Sequence, residues 1–395
     1  MKDLRKRFTI VGCVAAAVFV LFSTVAVNAN VTQSPNFVDE RYELVALVFR
    51  LAESRAATDL TPETANALAP AMTFYNGATE YMRLLNSTFG GFVNHPIVNY
   101  IVYLWQNGYY PSSNDVFSMA IHLERIGGQF VLADNISRMI MPEALGFNTW
   151  TEENTPEFVA LLNDFYRDTN FATFFESQRT FYEEISAELA EQVVDDFNFE
   201  WFEQFGIERD DFRLVLSPSK DRLALGVTIY NAASGEWVAY AGIPVMPLNA
   251  DGVNHVRSII AHELAHSFSN PMAEIWYAEN EEFRGWVHST LQRNEQQMLQ
   301  KGYGLSIIVA FEYVTRAHET LYMVENTNSN LWWLLAQQRF NHGFRYIENV
   351  YAMVTGHTPM LHIIVPTVIT GAALLLIVLP AVLIMRWRKR RKYIL

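Results

Sequence analysis

Ile259-Ile260-Ala261-His262-Glu263-Leu264-Ala265-His266-Ser267-Phe268 is the stretch on which the reading of this chain turns. Residues four apart on a helix stand one above the other, so His262 and His266 share a face and can share one metal ion. Glu263 is rotated by one position, which places it to reach a water held by that ion rather than the ion itself. Uncharged Ile259, Ile260, Leu264, Ala265 and Phe268 flank the motif without a proline among them, and they predict a buried helix. In a chain with this His and Glu content, a chance H-E-x-x-H match has a probability of roughly a few per cent, and the apolar flanks lower it further. Two imidazoles and a carboxylate in this pattern are the parts of a catalytic zinc site, with His262 and His266 as Zn2+ ligands and Glu263 as general base.

Upstream, the hydrophobic period shortens around Phe212. Residues 213–216, 223–230 and 237–245 read as strands, separated by Ser217-Pro218-Ser219-Lys220-Asp221 and a second turn over 231–235. Three antiparallel strands followed by an H-E-x-x-H helix is the element order of a zincin, in which an edge strand above the metal pairs with an extended substrate backbone. The candidate edge lies between Leu223 and Gly242. From Asn36 to about Phe205 the period is helical, with helices expected over 38–54, 70–85, 96–105, 113–126, 156–166 and 174–194. The expected fold class is α+β: a zincin-like unit over 206–356 carrying a short antiparallel sheet and the H-E-x-x-H helix, beside a helical N-terminal subdomain over 30–205.

Downstream, Ser269-Asn270-Pro271 is expected to end the motif helix, because a residue before proline disfavours the helical region. Asn270 is then a helix-end residue. Ser269 and Met272 stand where a metzincin requires Gly and His, which excludes that class. The third ligand is sought on residues 305–317, a helix apolar on nearly every side and broken only by Glu312 and Arg316. Burying a lone carboxylate costs several kcal/mol, roughly, unless a cation pairs with it. Zinc would be such a partner for Glu312; an ion pair with Arg316 one turn on is the alternative, and the two are compatible. His288, Glu282 and Glu319 lie in more polar surroundings and are weaker rivals.

The two ends of the chain read as targeting segments. Lys2, Arg5, Lys6 and Arg7 precede an apolar run over 8–27 and small residues at 27–29, the pattern of a signal peptide or signal anchor over 1–29. Residues 363–385 form an apolar run about 34 Å long as a helix, enough to span a bilayer. Arg386 to Lys392 follow as a basic cluster that should stay cytoplasmic. A transmembrane helix over 361–385 and a basic tail over 386–395 are therefore expected, with the middle of the chain outside the cytoplasm. Cys13 is the single cysteine, so the mature region has neither disulfides nor thiolate ligands. Both ends are basic while the chain carries −13, so the middle is strongly acidic and is not a nucleic-acid binder.

His262-Glu263-x-x-His266 with a glutamate on a later helix resembles the gluzincin arrangement of zinc metallopeptidases. More closely, His266-Ser267-Phe268-x-Asn270-Pro271, Phe311-Glu312-Tyr313-x-x-Arg316-Ala317, Gly343-Phe344-x-Tyr346, Gly91-Phe92-x-x-His95-Pro96 and Met119-Ala120 are similar to an uncharacterised family of exported bacterial proteins carrying a domain of unknown function. That likeness covers most of residues 38–352. Many gluzincins place an acidic residue four positions after the glutamate ligand; Arg316 stands there, so the groups that orient the histidines must differ.

The resemblance and the motif together imply peptide-bond hydrolysis by a membrane-anchored extracellular zinc metallopeptidase, with a peptide or protein as partner. Tyr346, His342, Tyr303 and Arg316 are the downstream candidates for steadying the oxyanion. The alternative expectation is a non-catalytic ectodomain, a cell-surface binding or structural module in which metal only holds the fold. An intact Glu263 favours the enzyme, since a purely structural site has no use for a base beside its histidines.

Overall fold

The computed structural model describes residues 36–59, 79–107, 109, 113–133, 150–151, 153–219, 225–231, 236–300 and 303–356. The expected signal segment, transmembrane helix and basic tail lie outside the described residues. Among the described residues, no helix is long and apolar enough to cross a membrane.

The first half is helical, with α1 (Glu40–Asp59), α2 (Glu80–Phe89), α3 (Pro96–Gln106) and α4 (Ser113–Ile121) ahead of a hairpin of β1 (Leu123–Ile126) and β2 (Gln129–Leu132). Then come α5 (Thr155–Asp168), α6 (Phe171–Ser177), α7 (Arg179–Leu189), a π-helical turn over Ala190–Val194 and α8 (Glu200–Glu203). Strands β3 (Phe212–Ser217), β4 (Leu225–Asn231) and β5 (Glu236–Pro244) form the sheet. Five helices complete the described chain: α9 (Ala250–Glu279), α10 (Glu281–Gln300), α11 (Ser306–Asn326), α12 (Leu331–Ala336), and, after a π-helical turn over Gln337–Asn341, α13 (Ile347–Thr355). The protein is thus a mostly helical α+β structure with a short sheet.

The expected helix over 113–126 stops at Ile121, where the chain turns into the β1–β2 hairpin. Gly127 and Gly128 both have positive φ, 61° and 87°. That is the backbone a two-residue type I′ hairpin turn demands and that side chains with a Cβ resist. Of the helix expected over 70–85, residues 70–78 lie outside the described residues; its remainder appears in α2, capped by Thr79 Oγ1 accepting from the Met82 amide at 3.1 Å. The expected helix over 174–194 is divided among α6, α7 and the π-helical turn.

The sheet is mixed, not antiparallel throughout. Its order is β3-β5-β4, with β4 antiparallel to β5 and β3 parallel to it. Alternation of side chains fixes which face of a strand is buried but not which neighbour it takes, so strand direction was open in the sequence. The central place of β5 has a visible cause in its small residues. Ala239 and Ala241 are buried, and a Cβ on Gly242 would come within 3.1 Å of the Phe117 ring on α4. On the far side of β3, the Leu216 amide donates to the Phe37 carbonyl at 2.8 Å. In the three-stranded sheet β4 is the edge strand opposite β3.

Helix α9 starts at Asn249, whose side chain accepts from the Gly252 amide at 2.9 Å. It does not stop at Asn270. Pro271 sits inside it, and the helix runs on to Glu279. Pro271 is exposed, so its ring lies on the solvent side of the helix. Meanwhile Ser269 bonds Thr315 on α11 at 2.5 Å and Ala273 is fully buried, so packing on the opposite face keeps the helix going.

Buried apolar side chains form two clusters. The larger joins α1, α3, α4, α5 and the sheet to Val256, Ile260, Ala261 and Leu264 of α9 and to Tyr322 and Met323 of α11. The smaller gathers Ala273 of α9, Phe283 and Val287 of α10, Val309 to Ala317 of α11, and Phe344 to Tyr351 around α13. Residue 205 falls within the span of the larger cluster, which continues from the N-terminal helices into the sheet. Against that cluster lies the buried carboxylate of Glu43 of α1, which accepts from Ser217 Oγ at 2.8 Å, Ser219 Oγ at 3.1 Å and the Tyr81 hydroxyl at 3.1 Å. Tyr81 in turn bonds the Tyr182 hydroxyl at 2.7 Å.

Candidate metal centre

The motif residues stand on α9, and Glu312 faces them from α11. Cross-helix partners run in opposite senses, Ser258 with Glu319, His266 and Ser269 with Thr315, so the two helices are antiparallel. One ligand atom each from His262, His266 and Glu312 lie within 4.8 Å of one another. His262 Nε2 is 3.6 Å from Glu312 Oε2, His266 Nε2 is 3.6 Å from Glu312 Oε1, and the two Nε2 atoms are 3.2 Å apart.

The other face of each imidazole fixes its tautomer. His262 Nδ1 meets the Glu319 carboxylate Oε2 at 3.0 Å, an acceptor only, so that nitrogen carries the proton. His266 Nδ1 lies 2.9 Å from Asn270 Oδ1 and 3.1 Å from Thr315 Oγ1. With both Nδ1 atoms donating, the Nε2 atoms face one another and a carboxylate, a place for a proton or a metal ion. Glu312 Oε2 is ion-paired with Arg316 Nη2 at 2.9 Å, but at an angle that makes no hydrogen bond, and is a buried oxygen without a hydrogen-bond partner. Three electron-pair donors converging on one point repel unless a cation sits between them. The donor set therefore fits a divalent metal, and two nitrogens with one carboxylate oxygen suit zinc.

The electrostatics agree with that arrangement. Burial alone would lower the His262 imidazole, but the carboxylates of Glu312 and Glu319 outweigh it and push its pKa up to about 10. The negative potential that favours a proton there favours a cation equally. Burial works against the charge of Glu312, yet Arg316 and His262 hold its carboxyl well below the usual range. Glu319 is likewise held low, against burial, by His262. Burial pushes Glu263 the other way, upward, with the two histidines opposing. A carboxylate whose pKa is raised by its surroundings is a better proton acceptor.

Around these residues lies a continuous polar layer. Ser258 Oγ donates to Glu319 Oε1, Gln338 Nε2 lies 3.4 Å from Glu319 Oε2, and Arg316 donates to Gln338 Oε1 at 3.0 Å and to the Tyr303 hydroxyl at 3.1 Å. The Arg316 guanidinium also rests over the Phe344 ring, 4.9 Å from its centroid.

Sequence expectation and geometry agree for His262, His266 and Glu312, which the fold brings together, and the Glu312–Arg316 ion pair forms beside them. Glu319 belongs to the site in a different role from the one considered for it. It reaches His262 Nδ1 from behind, seven residues after Glu312 and so two turns along the same face of α11. Asn270, expected at a helix end, lies inside α9 and faces His266. Gln338 and Thr315 carried no sequence signal. Of the other rivals, His288 faces the Tyr277 hydroxyl at 3.3 Å and Glu282 is exposed. Of the oxyanion candidates, Tyr303 and Arg316 adjoin Glu312, whereas Tyr346 bonds Ser289 at 3.0 Å and stacks on Trp286.

Fold and site together define a mostly helical α+β protein in which an H-E-x-x-H helix and an antiparallel partner present a buried His-His-Glu cluster that could hold a metal ion. The chain belongs to the DUF4932 family, a domain of unknown function whose family model matches residues 36–356. No curated protein and no solved structure matches it.

Proposed function

We propose that this protein is a membrane-anchored extracellular zinc metallopeptidase with a zincin-like catalytic unit. The observation that carries the reading is the convergence of two imidazole Nε2 atoms and a buried carboxylate oxygen without a hydrogen bond, beside Glu263. His262, His266 and Glu312 would hold Zn2+, leaving one position for water. Zinc bound there supplies a Lewis acid that polarises a carbonyl and brings the pKa of water towards ~7. Glu319 and Asn270 keep the imidazole rings in register through their Nδ1 protons. Glu263, one position round the helix from the histidines, takes the proton of the attacking water at its carboxylate and passes it to the departing amine. As an edge strand, β4 would offer backbone donors and acceptors to an extended peptide. The apolar run over 363–385, with its basic flank, supports a single-pass anchor that leaves the site outside the cytoplasm.

The test is zinc content and peptide cleavage for the parent and Glu263→Gln. One zinc per chain in both, with cleavage falling by ~10²-fold or more in the variant, is the enzyme's outcome. Zinc in both and cleavage in neither is the outcome for a non-catalytic module in which the metal holds the fold. A parent that takes up no zinc ends the reading.

A further inference from the structure

Gly226 stands near the start of β4, an edge strand of the three-stranded sheet. Glycine inside a strand weakens it, because it has the largest backbone entropy to lose and no side chain to pack. A glycine kept in such a place has either an unusual backbone angle or a neighbour too close for a Cβ. The first reason does not apply, since Gly226 is not among the positive-φ glycines. The second does. A Cβ on residue 226 would lie 2.0 Å from Oε2 of Glu263, 3.1 Å from its Cδ and 3.6 Å from its Cβ, and these are its three nearest atoms.

We propose that Gly226 is the positioning residue for Glu263: the side chain that β4 lacks is the space in which the Glu263 carboxylate lies. The inference rests on Glu263 being the base. The obstructing atoms are the end of a flexible side chain rather than backbone, so a methyl group at 226 moves the carboxylate and leaves the strand in place. Such a shift acts on catalysis out of proportion to its size, because proton transfer needs heavy atoms within about 3 Å. It leaves the metal ligands alone, since none of the three nearest atoms belongs to His262, His266 or Glu312.

The experiment is a double-mutant cycle on the full chain, with Gly226→Ala, Glu263→Ala and the pair, read by thermal midpoint and by zinc per chain. Alanine favours a strand over glycine, so Gly226→Ala should raise the midpoint or leave it unchanged where Glu263 is already alanine. In the parent background it should lower the midpoint by a few degrees, with zinc per chain unchanged. For the active parent, kcat should fall by about tenfold or more with KM unaltered. Shortening the base by Glu263→Asp in the Gly226→Ala background should cost less than it does in the parent.

An equal midpoint shift in both backgrounds overturns the proposal, as does full kcat in Gly226→Ala of an active parent. Should Gly226→Ala fail to fold, recovery of folding by Glu263→Ala supports positioning, and failure of the pair as well overturns it. A parent that cleaves nothing ends the peptidase reading but leaves the midpoint cycle to decide the contact.

Discussion

Glu43 and Glu312 are both buried carboxylates, and their surroundings differ. Glu43 is enclosed by hydroxyls, with Ser217 and Ser219 on one oxygen and Tyr81 on the other, so both of its oxygens accept hydrogen bonds. No cation is among the groups that shift it, and burial pushes its pKa up to about 7 in spite of those donors. Glu312 has Arg316 and two imidazoles around it, is held well below the ordinary range, and still leaves Oε2 without a hydrogen bond. A polar cluster that only fastens a core closes on itself, as at Glu43. A cluster arranged to receive something leaves electron pairs pointing at a common place, as at Glu312. That distinction, rather than burial or pKa alone, is what marks one of the two as a candidate site.

Removing a converging donor should have the largest effect. Glu312→Ala should weaken zinc binding by more than ~100-fold, beyond the range seen for residues that merely orient ligands. Competition with a chromophoric chelator measures it, and full affinity in the variant would break the contrast with Glu43. Glu319→Ala should be intermediate, costing about 10–100-fold in zinc affinity, because it frees the His262 ring without removing a ligand. The same titration reads it, and an effect equal to that of Glu312→Ala would make Glu319 a ligand.

Glu43 should act on stability alone. Its folded pKa lies above its unfolded value, so the folded state holds the proton more tightly than the unfolded one. The stability this contributes is fully present below about pH 4.5 and is lost as pH rises through about 7, amounting to about 3 kcal/mol over that window. Glu43→Gln should flatten the pH dependence of the denaturant midpoint between those limits and leave zinc affinity unaltered. An unchanged slope would show that Glu43 is not the group that titrates there.

The motif helix and the third ligand were legible because their signals are local. H-E-x-x-H carries its geometry in its own spacing, and Glu312 is conspicuous as an acid on an otherwise apolar helix. Glu319 was harder to read because its neighbours His318 and Thr320 look polar in a linear window, while the fold buries all three. Its position two turns after Glu312 was the usable sign. The Gly127-Gly128 turn was likewise visible in the letters, but the helical period was carried on to Ile126, through the strand that leads into the turn. The parallel pairing of β3 with β5 was not in the sequence in any local form, since pairing depends on which strand the helices leave room for. Nor was the passage of α9 through Pro271, which is decided by Ser269 and Ala273 on the opposite face.

That passage has a thermodynamic consequence. Helix α9 contributes Val256, Ile260 and Leu264 to one apolar cluster and Ala273 to the other, and α11 does the same with Tyr322 and Tyr313. Neither cluster can melt without unravelling a helix that the other holds. The described chain should therefore unfold as one cooperative unit, and the slowest-exchanging amides should lie along α9 and α11, where deuterium enters only when the whole molecule opens.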